Sequence, residues 1–285
     1  MGFLAFLIKS KIMIVVNGKE IIVEHFPDGT QNIKFPVDID IHGFLSTAQV
    51  QWLYDSDEEI FTLFSVVDWI NRVLPIGAKY LQIPYLPNAR MDRIKSENEN
   101  FSLKVMASLI NAMQFDAVCV YNVHSNVSEA LINNIKSIDS GDDIERSIEL
   151  CSPDVIFFPD EGACKRYSDL EVIKKSNLPV AFGIKKRDWA TGKILGLNVV
   201  SDTDLKNKRV LIVDDICSAG GTFKFSAIKL KEMGASDVFL YISHCEDNIQ
   251  NGDLLKTDLI SKIYTTDSIL HISNPKIQII KTFRV

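Results

Sequence analysis

Residues 206–223 have the sequence Lys-Asn-Lys-Arg-Val-Leu-Ile-Val-Asp-Asp-Ile-Cys-Ser-Ala-Gly-Gly-Thr-Phe, and this stretch decides the fold. Its apolar, β-branched run at 210–213 is typical of a buried parallel strand. Asp214 and Asp215 follow at once, so we expect them where that strand stops. A turn of small residues comes next: Ser218, Ala219, Gly220, Gly221 and Thr222. Residues 223–233 then predict a helix, because their apolar positions have helical spacing and Gly234 is placed to end it.

This order of strand, acids, glycine turn and helix predicts a site for a phosphorylated sugar. Glycines allow backbone N–H groups to approach an anion closely, and the start of a helix adds partial positive charge. Two adjacent carboxylates can each accept a hydrogen bond from one of the vicinal hydroxyls of a ribose. Neither G-x-x-x-x-G-K-[ST] nor G-x-G-x-x-G is present, which excludes a P-loop and a dinucleotide fingerprint. The alternative is a glycine turn with two solvated aspartates.

Composition indicates an ordinary soluble chain, with 285 residues, 46% hydrophobic and 24% charged residues. This length fits one large domain or two of ordinary size. A formal charge of -6 argues against nucleic acid as the main partner. The five cysteines are an odd number without metal-ligand spacing, which indicates reduced thiols in an intracellular protein. The apolar stretch 1–8 is too short to span a bilayer, so we expect a cytoplasmic protein with no membrane partner.

The first half of the chain predicts alternating strands and helices. Asn17-Gly18 between two apolar runs, 12–16 and 20–24, is a strong hairpin signal. Further strands are predicted at 31–35, 80–85 and 117–121, helices at 60–74 and 101–113, a proline-containing polar loop at 84–93, and a linker at 137–143.

The second half repeats this alternation. Strands are predicted at 154–158, 180–184, 194–200, 237–243, 263–266 and 277–280, with a turn at 159–163, a helix from about Lys165 and a charged loop at 185–193. Such alternation gives parallel sheets, whose sites lie in the loops after the strands. Several polar residues fall in loops of this kind: Arg90, His124, Asp160, Lys185 and Asp214.

The run Val-Asp-Asp-x-x-x-x-Gly-Gly-Thr resembles the ribose-phosphate loop of type I phosphoribosyltransferases and of ribose-phosphate pyrophosphokinases. Matches in the rest of the chain favour the pyrophosphokinases, also called phosphoribosyl-diphosphate synthetases. These matches are Phe26-Pro27-Asp28-Gly29-Thr30 with Phe-Ser-Asp-Gly-Glu; Pro84-Tyr85 and Ala89-Arg90-Met91-Asp92-Arg93 with Pro-Tyr…Ala-Arg-Gln-Asp-Arg; Val123-His124-Ser125 with Asp-Leu-His; Pro159-Asp160 with Pro-Asp; and Lys185-Lys186-Arg187 with Lys-x-Arg.

The resemblance implies an α/β protein of two tandem phosphoribosyltransferase-like domains, each a mostly parallel sheet flanked by helices. Residues 1–138 would form the ATP side and 139–285 the ribose-phosphate side, with the option that the last dozen residues return to the first domain. The implied enzyme transfers the β,γ-diphosphate of ATP to ribose 5-phosphate with Mg²⁺, a step of nucleotide biosynthesis. It would be a homo-oligomer in which the loop like 26–30 reaches the ATP of a neighbouring subunit.

The family also implies roles for individual residues. The catalytic set is Lys185, Arg187, Asp214 and Asp215. The ATP set is Phe26, Asp28, Arg90, Asp92 and His124. The ribose-phosphate set is Asp214, Asp215, Ser218, Ala219, Gly220, Gly221 and Thr222. The metal set is His124 and Asp160.

Structural roles remain open for some of these residues. Asp160 could cap the helix that follows it, Arg90 could pair with Asp92, and Phe26 could be a core residue. His124 could be an ordinary hydrogen-bonded histidine, and we interpret His244 as structural.

Departures from the family pattern keep other functions open. Thr30 and Met91 replace Glu and Gln on the adenine side. Ser218 and Ala219 stand where the synthetases usually have Asp and Thr, which would suit a substituted ribose 5-phosphate such as ADP-ribose. A catalytically silent regulatory relative and a phosphoribosyltransferase are the remaining alternatives.

Overall fold

The computed structural model describes residues 13–40, 47–74, 77–187 and 194–283, without the side chains of 185–187, 194 and 195. The chain divides after Asp139 into two compact units. The first unit contains β1 Met13–Val16, β2 Lys19–Glu20, β3 Ile22–His25, β4 Gln31–Lys34, β5 Thr47–Leu53, α1 Glu59–Val73, β6 Ala78–Ile83, α2 Ser102–Ala112, β7 Ala117–Tyr121, α3 Val127–Leu131 and β8 Ile135–Ile138.

A six-stranded sheet with the order β2-β1-β5-β6-β7-β8 forms the centre of the first unit. The strands from β5 to β8 are parallel, and β1 joins β5 in the antiparallel direction. The predicted helix 101–113 is confirmed as α2, whose buried face includes Leu103, Met106 and Ile110. The C-terminal ends of β6 and β7 therefore meet at one edge, where the loops with Arg90 and His124 begin.

The hairpin at Asn17-Gly18 is confirmed. Both residues have positive φ, 47° and 79°, as a type I′ turn requires, and Val16 pairs with Lys19 across it. The predicted second arm, 20–24, is not one strand. Its later part is β3, which pairs with β4 as a separate two-stranded ribbon.

The second unit contains α4 Gly141–Cys151, β9 Val155–Phe158, α5 Glu161–Tyr167, α6 Glu171–Ser176, β10 Val180–Arg187, β11 Ile194–Ser201, β12 Arg209–Cys217, α7 Gly221–Glu232, β13 Asp237–Cys245, β14 Lys262–Thr266 and β15 Ile277–Lys281. Its seven-stranded sheet has the order β11-β10-β9-β12-β13-β14-β15. All neighbours are parallel except β10 and β11. Two mostly parallel sheets flanked by helices match the predicted fold class.

Strand β12 is longer than predicted, which corrects the position of the acidic pair. We expected Asp214 and Asp215 just beyond the strand, but β12 continues to Cys217. The reason is the neighbouring strand β13, which is also longer than predicted and pairs its Cys245 with Cys217. The acids therefore lie within a hydrogen-bonded strand.

Three further boundaries differ from the prediction. Helix α5 begins at Glu161, not near Lys165, because Asp160 caps it. The division between the two units, after Asp139, falls within the predicted linker 137–143, which also contains the end of β8 and the start of α4. The backbone of Lys185 and Arg187 belongs to β10, because β11 pairs with it; residues 188–193 of the predicted charged loop lie outside the described part.

The last strand, β15, pairs with β14 of the second sheet rather than returning to the first unit. Within the described ranges, no helix is both long and apolar enough to cross a membrane.

Candidate active site

The acidic pair occupies the carboxyl end of β12. Successive residues of a strand point to opposite faces of the sheet, so the two carboxylates have different surroundings. Asp215 is buried, with 6% of its surface exposed, while Asp214 is only partly buried. The backbone N–H of Asp215 donates to Asp214 Oδ1 at 2.9 Å.

Arg166 of α5 forms an ion pair with Asp215 through Nη1 and Oδ2. The neighbouring Tyr167 is fully buried, and its pKa is well above the usual value. Burial is the main cause, and the negative charges of Asp215 and Asp214 add to it. Helix α5 thus supplies both a counter-charge and an apolar wall to the acids. Sequence analysis did not identify Arg166.

Asp214 has a pKa well above its ordinary value. Burial is the main cause, followed by the negative charge of Asp215, and Asp160 adds to it. A carboxyl group in this state binds a proton more readily than one in water. The three aspartates therefore influence one another electrostatically, at the carboxyl ends of the central strands of the sheet.

The glycine turn and α7 supply backbone donors beside the acids. Gly220 precedes the helix with φ 80°, a conformation that favours glycine. The first N–H groups of a helix have no partner within it, so those from the N-cap Gly220 onward can face an anion. Predicted helix positions Phe223, Ala227 and Leu230 are buried and hold α7 against the sheet. Ser218, before the glycines, accepts a hydrogen bond from Asn248 Nδ2 at 2.8 Å.

Asp160 has two features that matter for its predicted role. Its Oδ1 accepts a hydrogen bond from the Ala163 N–H at 2.9 Å, so the helix-cap role is confirmed. It also contributes to the raised pKa of Asp214 and therefore lies near it.

Two of the predicted ATP residues, Asp92 and His124, lie near each other in a second cluster, in the loops after β6 and β7 of the first sheet. Ser125 Oγ donates to Asp92 Oδ2 at 2.9 Å, and Arg93 donates to Asp92 through Nε at 2.7 Å. The pKa of Asp92 is lowered to about 2. The hydrogen bond from Arg93 is the main cause, Ser125 and the charge of His124 add to it, and burial opposes it. The loop after β6 and the loop after β7 are thereby joined. Arg90, in the same loop, is exposed.

Phe26 and Asp28 lie in the tight connection between β3 and β4. Phe26 is 52% exposed, so it is not a core residue. Asp28 accepts hydrogen bonds from both the backbone N–H and the hydroxyl of Thr30, at 3.0 and 2.7 Å. The loop is thus internally fixed and presents an aromatic ring to solvent.

Two predictions remain outside these clusters. The side chains of Lys185 and Arg187 lie outside the described part. His244 Nδ1 forms a 2.8 Å hydrogen bond with Ser268 Oγ and is buried, which agrees with a structural role.

The donor atoms near the acids suit Mg²⁺. In the residues that the structure describes, no group of three or more His, Cys, Asp or Glu side chains makes a ready-formed metal site. Mg²⁺ is commonly held by one or two carboxylates together with water and substrate phosphates. Asp160 provides such a carboxylate near the glycine turn, so it fits this ion in the presence of a phosphorylated substrate.

No family model matches the chain, but curated proteins do. It is 28% identical to the ribose-phosphate pyrophosphokinase of Saccharolobus solfataricus over 217 residues, 75% of this chain and 72% of the relative. It is 29% identical to that of Sulfolobus acidocaldarius over 259 residues, 87% of this chain and 84% of the relative.

A solved structure shows the same fold. The phosphoribosylpyrophosphate synthetase of Mycobacterium smegmatis matches with a TM-score of 0.72 at 19% identity, covering 92% of this chain and 85% of the synthetase. The chain is therefore a divergent homologue of the ribose-phosphate pyrophosphokinases with a two-domain, phosphoribosyltransferase-like fold.

Proposed function

We propose that the chain is an ATP-dependent diphosphokinase that converts ribose 5-phosphate to phosphoribosyl diphosphate and releases AMP. One observation carries this proposal: Asp214, Asp215, the glycine turn and the start of α7 follow one another at the carboxyl end of β12. Relatives that share most of the chain are named ribose-phosphate pyrophosphokinase.

In the proposed reaction the anomeric hydroxyl oxygen bonds to the β-phosphorus of ATP. The bond from that phosphorus to the oxygen bridging to the α-phosphorus breaks, AMP leaves, and the hydroxyl proton is released. Such transfers depend mainly on alignment and on neutralising charge. Asp215, held by Arg166, is suited to accept a hydrogen bond from a ribose hydroxyl, and the amides from Gly220 onward are suited to hold the 5-phosphate.

Charge neutralisation at the triphosphate is assigned to basic residues and Mg²⁺. Bound Mg²⁺ would supply positive charge beside the transferred phosphates. His124 is a proposed metal contact in the first unit, and Asp160 is a proposed metal contact in the second unit. Lys185, Arg187 and the exposed Arg90 are proposed to stabilise the same charge. Asp92 accepts hydrogen bonds from Ser125 and Arg93, so it is proposed to orient the loops after β6 and β7 for ATP.

A second acceptor, a substituted ribose 5-phosphate such as ADP-ribose, is favoured by one observation. Ala219 is exposed and offers only a methyl group at the outer side of the turn, where the synthetases usually have Thr. A group attached to the 5-phosphate would meet little obstruction at that position.

We also propose that the enzyme works as a homo-oligomer. The exposed ring of Phe26, on a loop fixed by Asp28 and Thr30, supports a role for this loop at the ATP of a neighbouring subunit. Sedimentation of wild type and Phe26→Ala at equal concentration tests it, since a purely monomeric wild type would exclude this arrangement.

Incubation with ATP, Mg²⁺ and one acceptor at a time tests the reaction. Mass spectrometry should find AMP and a diphosphorylated acceptor, with ribose 5-phosphate or with ADP-ribose. Asp215→Asn should abolish the product, whereas Asp169→Asn, at a surface ion pair with Lys174, should not. Formation of ADP or free phosphate in place of AMP would refute the assignment. Consumption of phosphoribosyl diphosphate and a base without ATP would identify a phosphoribosyltransferase, and binding to a synthetase without turnover a silent relative.

A further inference from the structure

The segment that follows β13 packs beneath the glycine turn; we call residues 246–254 the buttress. It contains a 3-10 turn, Asp247–Asn251, and begins a second one at Leu254. Its first residue continues the pairing of the two central strands, because the Glu246 N–H donates to the Cys217 carbonyl at 2.8 Å. The buttress and the turn thus leave the sheet side by side.

Gly252 is in contact with the peptide that joins Ala219 to Gly220. A Cβ added to Gly252 would clash with the Ala219 carbonyl oxygen. The backbone of Gly252 is extended, with φ −83° and ψ −171°, a conformation open to any residue. Glycine is therefore needed here for space and not for its conformational freedom.

The contact matters for anion binding because a peptide unit is planar. The Ala219 carbonyl and the Gly220 N–H belong to one such unit, so a displaced carbonyl also turns the N–H. Gly220 also lies close to the buttress, because a Cβ added to it would clash with Leu254 Cδ1. The buttress consequently fixes both sides of the turn.

Polar contacts join the same two segments. The Lys224 ammonium of α7 pairs with Asp253 at 2.5 Å. Asn248 Nδ2 donates to Ser218 Oγ, so one lone pair of the hydroxyl is occupied and its hydrogen points away from the amide. A hydroxyl fixed in this way can donate to a phosphate oxygen.

We propose, resting on the function proposed above, that the buttress positions the turn for the acceptor phosphate. Gly252 sets the orientation of the Ala219–Gly220 peptide, and Asn248 directs the Ser218 hydroxyl toward the anion. Both are positioning residues, since neither is assigned a contact with the reacting atoms.

Gly252→Ala tests the first part through separate kinetic constants. We expect KM for the acceptor to rise about ten- to hundredfold, as for a lost hydrogen bond to a charged group, while KM for ATP stays the same. Gly196→Ala is the matched control, because a Cβ at Gly196 would meet nothing within 4 Å. Unchanged acceptor KM in Gly252→Ala would overturn the proposal.

Asn248→Ala, on an exposed residue, tests the second part with little risk to folding. Introduced into the wild-type protein, it should weaken acceptor binding about three- to tenfold. Introduced into the Ser218→Ala variant, it should have no further effect. Independent, additive effects of the two substitutions would show that Asn248 does not act through Ser218.

Calorimetric titration with ribose 5-phosphate separates failure of this inference from failure of the proposed function. If wild type makes no AMP but binds ribose 5-phosphate, and Gly252→Ala loses that binding, the buttress role stands and the diphosphokinase function falls. If wild type is active and Gly252→Ala binds as tightly as wild type, the function stands and the buttress role falls.

Discussion

Replacement of Arg166 by methionine is the sharpest test of the acidic pair. The guanidinium is the ion-pair partner of Asp215, whose side chain is 8% exposed. Its removal takes the guanidinium charge away from a buried carboxylate that lies beside Asp214. Loss of one partner of a fully buried pair costs about 3–5 kcal/mol. Because 29% of the Arg166 side chain is exposed, solvent screening reduces this, and we expect about 2–3 kcal/mol less free energy of unfolding.

Differential scanning calorimetry measures the effect. For a protein of this size class the loss corresponds to a decrease in Tm of about 5–10 °C. Hydrogen exchange of peptides from β12 assigns the change to the second unit. Adding Asp215→Asn to Arg166→Met should recover part of the loss, since it removes the buried negative charge that Arg166 had balanced, with a coupling energy of about 1–2 kcal/mol.

Arg146→Met is the matched control for this test. Arg146 pairs with Glu149 on α4 of the same unit, but both side chains are 59% exposed. Such a pair contributes at most about 1 kcal/mol. Equal losses in Arg146→Met and Arg166→Met, or strictly additive effects of Arg166→Met and Asp215→Asn, would refute the account of a buried, coupled pair.

Three other substitutions test the two units. Arg93→Gln removes the main cause of the low pKa of Asp92. The stability that this carboxylate contributes above about pH 4, and loses as the pH falls toward about 2, should therefore shrink. If the unfolding midpoint falls between about pH 4 and about pH 2 by as much in the variant as in wild type, the prediction is wrong. Trp52→Phe deletes the 2.9 Å indole hydrogen bond to the buried Glu59 and should cost about 1–3 kcal/mol in urea unfolding; a wild-type midpoint would contradict this. Gly220→Ala, at φ 80°, should lower inorganic phosphate affinity in calorimetry about tenfold or more, and wild-type affinity would exclude the predicted turn.

Local sequence patterns were sufficient for the repeating part of the fold. The Asn17-Gly18 turn was predictable because few residue pairs accept positive φ at both positions. Helix α2 was predictable because its buried positions Leu103, Met106 and Ile110 have helical spacing. Strand β5, in contrast, was not identified, although its sequence TAQVQWL alternates polar residues with the buried Ala48, Val50 and Trp52, as a half-buried strand does.

Features that depend on distant partners were not predictable. Strand β12 passes beyond its apolar run because β13 continues to pair with it as far as Cys217. Arg166 contacts an acid 49 positions away, and nothing in the residues around it indicates that partner. Gly252 has no motif at all, and its importance follows only from the position of the Ala219 carbonyl. The residue types of the candidate site supported a proposal for its chemistry, whereas the residues that hold the site in place could be identified only from the fold.

Strand β12 is the fourth of seven strands, with three on either side. Fraying from an outer strand must pass through three neighbours before it reaches the acids. The turn at Ser218 and Ala219, by comparison, lies beyond the sheet and faces solvent. Substitutions in that turn are therefore expected to leave the position of the two carboxylates within the sheet unchanged.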